Sequence, residues 1–180
     1  MQANETWLCQ GDIFRAAPVL DVQASQDGLT TSLVYGPAVL LTHDCAMDKS
    51  RPDASPKAER LQFARLRVVS RTVTPEEATD LRGRRAKTGP FEVMWVGDVS
   101  TWGDCMIFLS DPYHVPLSYF EPTMVRYDVL EEDGTPSSPR ATPGANDSRI
   151  GRLDIDQINL LRLKMLAFWT RLKMGPAPTS

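Results

Sequence analysis

Apolar residues along this chain fall mostly into short runs separated by turn-forming residues, the pattern of antiparallel strands joined by tight loops. The β-prone runs are Val19 to Gln23, Leu29 to Tyr35, Ala38 to Thr42, Phe63 to Ser70, Phe91 to Val96, Cys105 to Leu109 and Met124 to Leu130. Asp27-Gly28 suits a hairpin turn, because Gly accepts the positive φ that such turns require. Gly36 and Pro37 punctuate the chain before Ala38 to Thr42, and that run is apolar on both faces, as a buried strand would be.

Two segments change to helical spacing. Thr74-Pro75-Glu76-Glu77 predicts a short helix that starts with a capping box and Pro at its first position and stops near Gly83. Asp154 to Lys173 repeats Ile158, Leu161, Met165, Phe168 and Leu172 at helical intervals, with acids near its start, bases near its end and Gly175-Pro176 closing it. Residues 50–60 read as a polar loop. The stretches Gly97 to Cys105 and Asp111 to Pro116 read as turns. Together these elements predict a mainly β (β+α) fold: a small antiparallel barrel over 1–130, a flexible Pro/Gly-rich connector over 131–148 and a C-terminal amphipathic helix over 149–175.

Length and charge narrow the partners. The chain has 180 residues, enough for one domain with a real core and short for two. A formal charge of −3 gives no global attraction to nucleic acid or to an acidic membrane, so an RNA contact has to come from a local basic patch. No apolar run approaches the roughly 20 residues needed to cross a bilayer. The N-terminus lacks the basic and apolar segments of a secretion signal. Three cysteines are too few for a disulfide framework, so the expectation is free thiols in the cytoplasm, with no cofactor.

The chemistry-bearing residues cluster after the buried run, at Thr42-His43-Asp44-Cys45-Ala46-Met47-Asp48-Lys49. His43, Asp44 and Cys45 are the candidate catalytic residues, since an imidazole beside a thiol can take its proton and expose a nucleophile. On a strand that continued through Cys45, residues 43 and 45 would share a face. Cys9, His43, Cys45, Cys105 and His114 could supply a tetrahedral metal set, but no ligand pair has the spacing that marks such a site, so no metal is expected. Arg65, Arg67, Arg84 and Arg85 form the candidate RNA-binding group. Leu161, Met165, Phe168 and Trp169 form the candidate partner face of the helix, for another protein or a second copy of the chain.

Gly11-Asp12-Ile13-Phe14, then Pro18, then Gly36-Pro37-Ala38-Val39-Leu40-Leu41-Thr42 resemble the opening of the PemK/MazF-like toxins. The His43-to-Lys49 continuation resembles bacterial and phage proteins that couple such a barrel to a C-terminal helix. The resemblance implies an SH3-like barrel, a toxin-like or defence-associated role and RNA or protein as partner, with RNA cleavage as the activity. In those toxins an arginine precedes the proline; here the position is Gly36, and Ser100 and Thr101 are the candidates for their downstream catalytic hydroxyl. A phage-derived adaptor assembling through its helix and a thiol- or metal-dependent enzyme using His43 and Cys45 are the rival functions.

Overall fold

The structure, a computed structural model, describes residues 8–26, 28–47, 58–83, 91–120 and 145–173. Within them the order is β1 (Asp12–Ser25), β2 (Gly28–Leu40), α1 (Asp44–Met47), β3 (Arg60–Val68), α2 (Pro75–Arg82), β4 (Val93–Val99), β5 (Gly103–Pro116), β6 (Arg149–Arg152) and α3 (Ile155–Lys173). The fold is mainly β with helices, built on a six-stranded antiparallel sheet of order β4-β5-β3-β2-β1-β6. No pairing joins β4 to β6 among the described residues, so the sheet is open where the sequence suggested a closed barrel.

The strands are fewer and longer than the apolar runs imply. Gly36-Pro37 does not end a strand, because β1 accommodates it. Phe14 faces Ala38 and Ala17 faces Gly36, so Arg15 and Ala16 together stand opposite Pro37. This bulge lies where Pro37 has no N–H to offer, and it turns the Arg15 and Ala16 N–H groups outward. They donate instead to Ser148, at its carbonyl oxygen (2.8 Å) and its Oγ (3.2 Å). The hairpin turn behaves as the sequence predicts at Gly28, whose φ of +126° suits glycine.

Residues 111–116, read from sequence as a turn, continue β5, with Val115 buried. Residues 149–152, grouped from sequence with the helix, form β6 on the edge of β1. The expected strand at Met124–Leu130, residues 131–144 of the connector and most of the 50–60 loop lie outside the described residues.

The chain divides into two compact units, 1–63 with 113–152 and 64–112 with 153–180. In the first, Phe14, Phe63 and Phe120 meet at centroid distances of 5.3–5.9 Å, surrounded by Leu8, Leu40, Leu61, Met47 and Val115. In the second, Val69, Ala78, Leu81, Val93 and Met106 form a smaller cluster. There α2 has the expected capping box: the Thr74 hydroxyl accepts from the Glu77 N–H and the Glu77 carboxylate accepts from the Thr74 N–H. A second reciprocal cap starts α3. Asp154 Oδ1 accepts from the Gln157 N–H (2.8 Å), and Gln157 Oε1 accepts from the Asp154 N–H (3.1 Å). The same Gln157 amide donates through Nε2 to the Val96 carbonyl, which ties the start of α3 to β4.

Candidate functional site

The β2 strand ends at Leu40, and the chain then turns into the short α1. His43 and Cys45 therefore meet through a helical turn rather than through strand alternation. His43 Nδ1 lies 3.0 Å from Cys45 Sγ, and the Cys45 backbone N–H donates to the same nitrogen at 3.2 Å. That backbone donor makes Nδ1 an acceptor and places the neutral imidazole's proton on Nε2. The thiol is then the donor, and its proton points at a base. Both side chains are exposed to solvent.

What holds this turn in place was missed in the sequence. Gln10, only 2% exposed, donates its backbone N–H to Asp44 Oδ1 (2.6 Å) and its side-chain Nε2 to the Leu41 carbonyl (2.8 Å). Thr42 Oγ1 accepts from the Gln62 N–H (2.6 Å), and Met47 is anchored in the first core. Asp44 thus fastens α1 to the segment before β1. No local pattern in the sequence marks Gln10 as a strap, because both of its acceptors lie 31 or more residues away.

The neighbouring Asp12 is the best-buried acid of this unit, at 2% exposure. Its carboxylate accepts from the Cys9 N–H (2.8 Å), Arg152 Nε (2.6 Å) and Arg149 Nη1 (3.2 Å), and Arg149 also binds Asp147. Burial raises the Asp12 carboxyl above its ordinary value, with Arg152, the Cys9 N–H and Arg149 pulling the other way. Burial works against the charge on Arg149, but Asp147 and Asp12 outweigh it and hold the guanidinium firmly protonated. The aspartate of the Gly-Asp-Ile-Phe motif is therefore the fastening for β6.

The candidate RNA-binding arginines are not assembled into a free basic surface among the described residues. Arg67 pairs with Asp111 at 3.4 Å and lies over the Phe108 ring, while Arg65 is half-buried on the same strand. Arg82 pairs with Asp104, which also accepts from the Trp95 indole. Arg84 and Arg85 lie outside the described residues.

Cys105 is fully buried in the second unit, and burial, with Asp104 and Asp98 adding to it, pushes its thiol up to about 11. Cys105 belongs to the second unit, and His43 and Cys45 belong to the first. Among the described residues no three His, Cys, Asp or Glu side chains come together to hold a metal ion.

The four partner-face residues of α3 divide by burial. Leu161 is completely buried and belongs to the core. Met165 and Phe168 are half-buried, and Trp169 is 44% exposed with its ring edge-on to Phe168. Opposite Leu161, the helix exposes Ile155, Leu163 and Leu166. Among the described residues no helix is long and apolar enough to cross a membrane. No protein-family model matches the chain, and no curated protein matches its sequence.

Proposed function

We propose that this chain is an adaptor of the reducing cytosol, a β+α protein that presents the outer face of α3 to a protein partner. The observation that carries this reading is the exposed apolar group Leu163, Leu166 and Trp169 on the outward side of α3, with Ile155 two turns before it, each between 44% and 66% exposed. A surface helix ordinarily places charged and polar residues opposite its buried stripe. Contiguous exposed apolar residues mark contact surfaces, and Trp is a favoured anchor in such contacts. Three free cysteines, Cys9, Cys45 and Cys105, accord with a reducing compartment.

The toxin-like reading would require a closed SH3-like barrel, RNA held by Arg65, Arg67, Arg84 and Arg85, and cleavage by His43, Asp44 and Cys45. It has less support. Gly36 replaces the toxins' arginine, Arg67 is paired with Asp111, and Asp44 binds the Gln10 amide. Thiol chemistry is the second reading, favoured by the 3.0 Å contact between His43 Nδ1 and Cys45 Sγ.

The adaptor reading is tested by purifying tagged wild-type chain and Leu163→Lys/Leu166→Lys from the native cell. A protein accompanying the wild type in stoichiometric amount, and lost from a variant of unchanged circular dichroism and Tm, is the expected result. Nucleic acid accompanying both chains, or no protein with either, overturns it.

A further inference from the structure

We infer that the distal half of the β1–β2 hairpin, residues 18–35, is a self-association arm that docks face to face on the same arm of a second copy. The register fixes which residues share a face. Pro18 stands opposite Tyr35, Leu20 opposite Leu33, Val22 opposite Thr31 and Ala24 opposite Leu29. Residues two apart on a strand lie on one side. These eight positions therefore form one continuous face, and most of it is apolar.

Beyond Pro18, which is buried at its base, the face is open to solvent. Leu20 is 63% exposed, Val22 53%, Leu29 76%, Leu33 56% and Tyr35 56%. The other side of the hairpin carries the Val19–Val34 pair at its base and then Asp21, Gln23, Thr30 and Ser32, with Gln23 Nε2 donating to Asp21 Oδ2 at 2.9 Å. Every residue of β2 from Gly28 to Tyr35 is exposed, whereas on β1 Pro18 and Val19 are buried at the base of the arm. The alternation is that of a half-buried ribbon, yet its apolar side faces water. The base of the arm is fixed, since the Tyr35 and Tyr119 side chains are hydrogen-bonded.

Two observations select a second copy as the occupant. The first is charge: Asp21, the one charged residue described between Pro18 and Tyr35, lies on the opposite side, so the apolar face offers nothing to a charged peptide or an anionic membrane. The second is area. Aliphatic side chains that bury on the order of 100 Å² of apolar surface each, and about 200 Å² for a tyrosine, leave on the order of 400 Å² on this face after scaling by exposure. Two such faces together remove roughly 800 Å², and the adjoining Ala24, Thr31 and backbone bring the pair to the ~1,000 Å² that a specific interface must clear. A two-fold axis through the Leu20–Leu33 pair makes the ribbon its own complement. This surface is separate from the α3 stripe, and the inference does not depend on the adaptor reading.

The test is the solution mass of the full chain by sedimentation and light scattering over a range of concentrations. The wild type is expected to reach twice its 20.1 kDa chain mass. Leu20→Lys/Leu33→Lys is expected to remain at the single-chain mass, while Leu163→Lys/Leu166→Lys keeps the doubled one. If the double arm variant fails to fold, Leu29→Lys at the exposed hairpin end replaces it, with the same expectation. A wild-type chain that stays single up to its solubility limit overturns the inference, as does an arm variant that still doubles or a helix variant that does not.

Discussion

At the scale of single residues, two thiols of the same chain sit in opposite environments. Cys45 is exposed with its proton directed at His43 Nδ1, whereas Cys105 is buried beside two acids that resist a thiolate. Iodoacetamide at pH 8 is therefore expected to modify Cys45 in the folded chain and to spare Cys105, and His43→Ala is expected to slow the Cys45 reaction. An unchanged rate in that variant would show that the imidazole does not assist the thiol. The Cys105 shift also fixes a pH window. As pH rises, the unfolded chain loses this proton near the ordinary value of 9.0, while the folded chain keeps it to about 11. The folded state then binds more protons than the unfolded one, so this contribution to stability is intact below pH 9 and is lost between pH 9 and 11. Cys105→Ala is expected to fall less steeply in Tm across that interval than the wild type; equal slopes would contradict the assignment.

At the scale of elements, β6 depends on an acid far away in sequence. Asp12 is almost fully buried and accepts from both Arg149 and Arg152, whose side chains are themselves 12% and 13% exposed. Arg152→Met leaves a buried carboxylate with one guanidinium fewer, and is expected to cost about 2–3 kcal/mol, somewhat under the penalty for a wholly uncompensated charge. Adding Asp12→Asn should restore part of that loss in denaturant melts. A cost within error of zero would mean that the network does not hold the strand.

Elements governed by local rules were legible in the sequence. The α2 capping box needs only Thr74, Pro75 and Glu77, and the α3 stripe needs only helical spacing. Strand lengths were less legible, because the bulge at Arg15-Ala16 that carries β1 past Pro37 is a cross-strand feature with no local mark. The four-residue β6 was hidden for the same reason, since its partner Asp12 is 137 residues or more away. Sequence spacing brings the thiol and imidazole together by strand alternation, whereas in the structure a helical turn joins them. The outward apolar sides of α3 and the hairpin were the least legible, because periodicity marks faces without saying which one meets water.

At the scale of the whole molecule, each of the two units has its own apolar cluster and each carries an uncovered apolar surface, the hairpin face in the first and the α3 stripe in the second. These two exposed apolar surfaces are the ground on which function through contact is proposed. The most direct test of that claim is the labelling rate of a cysteine placed at position 166 (Leu166→Cys, in a Cys9→Ala/Cys45→Ser background) by a maleimide. The rate is measured for the isolated chain and for the complex recovered from the native cell. Strong protection in the complex is predicted, with rapid labelling once the chain is isolated. Equal rates in the two states would contradict the account.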